Sequence, residues 1–181
     1  MKTSVIVTLI GADRAGLVSA LATRASACGA NWMESSMARL AGQFAGIVQL
    51  QVDAARAAEL EAALRELEAE GLRLSFERGD ETAAGARSTT RLELLGQDRP
   101  GIVRDISAVL ARRGASIERI ETATESAPFS GELMFRARVD VHLPPEVAAT
   151  DLRRDLEALA SELMVDLRFG AGESGAEAGA A

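Results

Sequence analysis

Aromatic residues are nearly missing from this chain. Tyrosine is absent, tryptophan occurs once and phenylalanine five times, so aromatics make up 3% of the 181 residues. With 48% hydrophobic residues overall, any core must be built from Leu, Val, Ile and Ala. Cysteine is also scarce. Cys28 stands alone, which excludes a disulfide framework and a Cys-x-x-Cys metal carrier. Its small apolar neighbours predict a buried structural thiol. The one histidine, His142, sits beside Pro144 and Pro145, with no counterpart in the earlier part of the chain, and reads as a solvated loop residue rather than a catalytic base. Lys2 is the only lysine; arginine carries the remaining positive charge, a bias we ascribe to genome composition. No apolar run approaches the ~20 residues of a membrane span. Thr3–Ile10 follows the N-terminus without a signal-peptide pattern, so the expectation is a cytoplasmic protein with no membrane partner. A net charge of −7 argues against direct binding of nucleic acid or an anionic surface. No group of side chains has metal-ligand spacing, and no cofactor is expected.

What the chain does have is a repeat. Gly11-Ala12-Asp13-Arg14-Ala15-Gly16-Leu17-Val18 returns as Gly96-Gln97-Asp98-Arg99-Pro100-Gly101-Ile102-Val103, a shift of 96 − 11 = 85. Each copy follows a short apolar run and precedes residues at helical spacing, which places it in a strand-to-helix turn. Glycine allows the backbone such a turn needs. The aspartate is expected to cap the helix, and Pro100 to occupy a first helical turn.

The periodicity around the first copy predicts β-α-β-β-α-β. Val5, Val7 and Leu9 alternate; Leu17, Leu21 and Ala25 recur at helical spacing up to Gly29. Asn31–Leu40 and Phe44–Val52 make a hairpin about Gly42, followed by Leu60, Leu64 and Leu67 on a helix ended by Gly71. Leu72, Leu74 and Phe76 alternate in a last strand. The second copy repeats the order, from Leu92 and Leu94 to Val165, Leu167 and Phe169. The 85-residue shift holds for the pairs Phe44/Phe129 and Gly46/Gly131, but Phe76/Phe169 are 93 apart (76 to 169), so eight extra residues are expected around His142–Glu146. The expected fold is α+β: two ferredoxin-like βαββαβ units, each a four-stranded antiparallel sheet with two helices on one face. The domains are expected at residues 1–78 and 89–169, with a linker at 79–88 and a disordered tail at 170–181.

Residues test the rivals on this architecture. An RNA-recognition domain stacks bases on aromatics of its central strands, whereas the outward positions here are Gln49, Gln51, Met134, Arg136 and Arg138. An acylphosphatase-like enzyme would need an arginine in the first loop and an asparagine further on. Arg14 and Asn31 could imitate them, although Asp13 would repel a phosphate. The glutamates from Glu59 to Glu70 read as a solvated helix face.

The two Gly-x-Asp-Arg-x-Gly turns, each opening a βαββαβ unit, resemble tandem ACT domains, small regulatory modules that sense amino acids. Gly29-Ala30-Asn31 and the Met37–Phe44 hairpin more narrowly resemble the glycine cleavage system transcriptional repressor family. The resemblance implies a non-enzymatic regulator with a small amino acid, glycine, as effector, acting through a partner transcription factor and forming a homodimer. A module used only for oligomerisation and partner binding, with degenerate ligand sites, is the alternative. The resemblance also implies a ligand site where the first turn meets the second strand of a neighbouring unit. By position this assigns Gly11, Asp13, Arg14, Gly16, Leu17 and Asn31, with Asp98, Arg99, Gly101 and Ile102 as the twin. Ala15 stands where the family has proline and Ser116 where it has asparagine, so the first site is expected to be the stronger.

Overall fold

The structure, a computed structural model, describes residues 1–79, 89–127 and 131–171. It divides into two units, Met1–Ala84 and Gly85–Ala181. The first unit runs β1 (Lys2–Ala12), α1 (Leu17–Ala27), β2 (Asn31–Leu40), β3 (Gln43–Asp53), α2 (Ala57–Arg65) and β4 (Arg73–Gly79). The second runs β5 (Thr89–Gln97), α3 (Ile102–Arg112), β6 (Ser116–Ser126), β7 (Leu133–His142), α4 (Ala149–Leu163) and β8 (Val165–Ala171). Sheet orders are β2-β3-β1-β4 and β6-β7-β5-β8, with every pairing antiparallel. Each unit is therefore the expected α+β ferredoxin-like arrangement.

Alternation decides which face is buried. Val5, Val7 and Leu9 of β1 and Val48, Leu50 and Val52 of β3 face α1 and α2, where Leu17, Leu21, Leu60 and Leu64 close the core. In the second unit Leu92, Leu94, Val139 and Val141 meet Ile106, Leu110, Leu152 and Leu156. Cys28 is buried, as its neighbours predict. Ala41 and Gly42 both have positive φ, 49° and 78°, at the tight turn joining β2 to β3. That backbone is the one whose twist matches a two-residue hairpin.

Four local expectations change. The extra residues of the second copy enter mainly in its hairpin. Phe44 faces Gly11 and Phe135 faces Gly96, so these equivalents are 91 apart (44 to 135). Gly131 lies in the turn before β7 rather than in a strand, and Phe129 is outside the described residues. His142 consequently ends the central strand β7, opposite Thr89 and Ser116, and its counterpart is Gln51. The helix caps are Gly16 (φ 89°) and Gly101 (φ 102°), with no side-chain cap bond, so neither Asp13 nor Asp98 caps a helix. Pro100 precedes the cap rather than sitting in the first turn. Finally, β4 takes in Gly79, and β8 takes in Gly170 and Ala171 opposite Arg91 and Thr90. The rest of the expected linker and tail lies outside the described residues.

The glycine that opens each repeat has a packing reason. A Cβ on Gly96 would stand 2.4 Å from Val165 Cγ1 and 3.0 Å from Val165 Cα, and one on Gly11 would stand 2.9 Å from the Gly71 carbonyl oxygen. Backbone atoms cannot swing away as a side-chain tip can. Gly96→Ala is expected to destabilise the fold by about 1–3 kcal/mol, read as a lowered urea midpoint at unchanged slope.

Candidate functional site

The turn after β1 is held from two sides. The Asp13 backbone N–H donates to the Gly42 carbonyl at 2.9 Å, joining the turn to the β2–β3 hairpin. The Asp13 carboxylate meets Arg39 Nε at 2.7 Å. Arg39 comes from the far end of β2, opposite Phe44 on β3, and its side chain is 70% exposed. An ammonium ion could thus compete for the same carboxylate, while the guanidinium stands ready for a carboxylate. Gly16 then opens α1 in the left-handed conformation, and Leu17 plugs into the core. Without a side-chain cap, the first-turn N–H groups are left for water or an anion.

Arg14 points elsewhere. Its Nη2 donates to Glu70 Oε2 at 2.5 Å, and Arg24 Nη2 donates to Glu70 Oε1 at 2.9 Å. Glu70, read from sequence as part of a solvated face, is the anchor that ties the turn and α1 to the segment following α2. The hydrogen bond from Arg14 is the main influence holding its pKa below the ordinary 4.5; desolvation opposes it, and the Arg24 charge adds to the lowering. A carboxylate whose folded pKa is depressed contributes stability above its unfolded pKa and loses that contribution as pH falls through the folded value. A carboxyl-carbon NMR titration should therefore find the Glu70 midpoint below that of an unperturbed glutamate, and Arg14→Ala should return it upward.

Asn31 is not beside Asp13 in the same unit. It starts β2 opposite Gln51, whereas the Asp13 turn adjoins the end of β2. Nine residue steps along β2 separate the two ends by roughly 30 Å. Asn31 is exposed, and its Nδ2 donates to Met33 Sδ at 3.2 Å. Within its own unit it does not reach the Asp13 turn. The same separation means that Arg14 and Asn31 do not meet within one unit to form an acylphosphatase-like pair.

The twin turn has the same backbone and different side chains. Asp98 N–H donates to the Leu133 carbonyl at 2.8 Å. Gly101 caps α3, Ile102 is buried, and Arg99 Nη2 reaches the Glu162 carbonyl at 3.5 Å. The strand position equivalent to Arg39 is Thr124, which faces Phe135 as Arg39 faces Phe44. Asp98 has no cation partner comparable to Arg39 among the described residues. Ser116 begins β6 opposite His142, at the end of the sheet away from Asp98. Arg39 and Glu70 are the two residues that the sequence reading did not assign. Arg39 lies within the quoted hairpin, but only strand register brings it to Asp13.

An ACT-domain model matches residues 3–77 and a second ACT-domain model matches residues 90–157. Formyltetrahydrofolate deformylases of Mycobacterium bovis and Mycobacterium tuberculosis are 41% identical over 81 residues, covering 44% of this chain and 25% of theirs. The chain thus spans about a quarter of the length of those curated relatives. The crystal structure of an unknown protein from Galdieria sulphuraria is 30% identical, with a TM-score of 0.84, covering 96% of this chain and 100% of that one. A glycine cleavage system transcriptional repressor shares the fold at 17% identity and a TM-score of 0.71, covering 95% and 99%. The chain belongs to the ACT-domain family and carries two ACT domains in tandem.

Proposed function

We propose that this protein is a non-enzymatic, amino-acid-sensing regulator that takes glycine as effector and acts through a partner protein, a transcription factor, without touching DNA itself. The observation that carries the reading is the Asp13 turn. An uncapped helix N-terminus, a carboxylate and an exposed guanidinium converge there, which suits a molecule bearing both an ammonium and a carboxylate group. The repressor that shares the fold across nearly the whole chain supports glycine and transcription as the context. The deformylases are matched over only a quarter of their length, so their activity is not carried over to this chain in the proposal. The acidic balance of the chain supports action through a partner rather than on DNA. The proposal includes a homodimer in the cytoplasm, with Asn31 supplied to the turn by a neighbouring unit.

A second reading, a module for oligomerisation and partner binding only, draws on β6. All eleven of its residues are exposed, Ile117 and Ile120 among them, and it is a sheet edge. A thermal-shift screen of the full chain against the twenty amino acids separates the two. Glycine at a hundred times its Kd is expected to add about 2.7 kcal/mol of stability and raise the melting temperature. A screen in which no amino acid raises it, from a protein of dimer mass, favours the second reading.

A further inference from the structure

The helix-free faces of the two sheets are built alike and furnished differently. On the first sheet an open cavity of about 430 Å³ is lined by Thr8, Ile10, Ala45, Arg73 and Ser75, a single charge among small and apolar groups. On the second sheet the equivalent cavity, about 210 Å³, is lined by Glu93, Leu95, Arg136, Arg138, Asp166 and Arg168. Register fixes their arrangement. Glu93 of β5 stands between Arg138 of β7 and Arg168 of β8; Leu95, one pleat on, stands between Arg136 and Asp166. Two of the arginines are engaged: Arg138 lies 3.4 Å from Glu93 and 3.9 Å from Glu121, and Arg136 is paired with Glu125. Asp166 and Arg168 are exposed and have no ion-pair partner among the described residues, although they share one face of the same strand.

We propose that this face of the second unit is a binding site for a small α-amino acid, separate from the turn sites. The carboxylate is received by Arg168 of β8, with Arg136 and Arg138 facing it across β5 from β7. The ammonium is received by Asp166, with Glu93 as the second acid. The carbon skeleton lies over Leu95, a large apolar side chain 44% exposed in the middle of charged neighbours. A plain surface mosaic of charges would pair Asp166 and Arg168 with neighbours, as it does Glu125 and Arg136. Here the unpaired acid and base stand two residues apart on β8, with Leu95 of β5 beside Asp166 as an apolar floor, and charge-assisted bonds to both ends of a zwitterion satisfy both. The first sheet lacks the pattern, so the site belongs to the second unit alone.

The test is an amide NMR titration of the full ¹⁵N-labelled chain with glycine and L-alanine, with acetate as the carboxylate-only probe. Saturable shifts at Leu94, Leu95, Ala137, Asp166 and Arg168, at about millimolar amino acid, are expected. Acetate should bind there at least about tenfold more weakly, since it lacks the group that Asp166 receives. Asp166→Asn and Arg168→Gln change exposed side chains and should each weaken the response about fivefold or more, leaving any shifts at Asp13 and Leu17 unchanged. The proposal is overturned if those amides do not shift up to about 50 mM of either amino acid, if acetate binds as tightly, or if both variants respond as the parent does. Shifts confined to the Asp13 turn would overturn this site and leave the turn reading standing. Shifts confined to the sheet face would do the reverse.

Discussion

Leu64→Ala is expected to cost the first unit about 3–4 kcal/mol, within the range for deleting a fully buried leucine. Leu64 has no exposed surface and lies on α2 between Leu60 and Leu67, which are equally buried, over the Val5, Val7, Val48 and Leu50 face of the sheet. That core is a set of branched aliphatic side chains, with Trp32, Phe44 and Phe76 only at its margin. No large ring stands at the centre to tilt into a void, so the lost methyl groups leave a cavity rather than a collapse. A unit of this size has a total stability in the range of about 5–15 kcal/mol, so the loss is a large share of it. Hydrogen exchange of the full chain reads where the loss falls. Protection should drop at Val5, Val7 and Leu50, with Leu92, Val139 and Val141 of the separate second core retaining theirs. An equal drop in both sets would mean that the two cores unfold as one.

Much of this fold is legible in the sequence because the buried face of an antiparallel sheet writes itself at every second residue. Val5, Val7 and Leu9, or Val48, Leu50 and Val52, can be read without knowing their partners. Partners are what the sequence withholds. Gly131 resembles Gly46 by identity and spacing, yet the hairpin preceding β7 is longer, and hydrogen bonding sets Leu133 where Gly42 stands in the first copy. Identity at a constant offset misled because the insertion sits in a turn, where little constrains length. His142 moved from loop to strand end for the same reason.

The site divides along the same line. The turn and its glycines are local, and they were readable: Gly16 and Gly101 both adopt the left-handed backbone that the motif suggested. The side-chain partners are not local. Arg39 reaches Asp13 only after β2 and β3 fold back through Ala41–Gly42. Glu70 reaches Arg14 across 56 residues. Neither pairing has a spacing rule. The aspartates follow the same rule: three residues ahead of the cap, Asp13 points toward the hairpin, and Gly16 itself takes the cap position.

The two turns should therefore respond unequally to mutation. Asp13→Ala is expected to weaken binding of the effector, glycine in the proposal, by five- to a hundred-fold, the loss of one charged contact of roughly 1–3 kcal/mol. Arg39→Ala should weaken it in the same direction. The Asp13–Arg39 pair is largely exposed, and such pairs contribute about 0–1 kcal/mol to folding. Both variants should consequently remain folded, and the change in affinity can be read without a change in stability. Asn31→Ala tests the strand contributed by a neighbouring unit, and its loss should match that of Asp13→Ala. Asp98→Ala should leave affinity nearly unchanged, because Thr124 stands where Arg39 would be needed to complete the ion pair. It should leave stability unchanged too, since Gly101 caps α3 without any help from the Asp98 side chain. Calorimetric titration of glycine into each variant, with urea curves alongside, measures both quantities. Equal losses from Asp13→Ala and Asp98→Ala would reject the inequality, and no loss from either would move the ligand away from the turns.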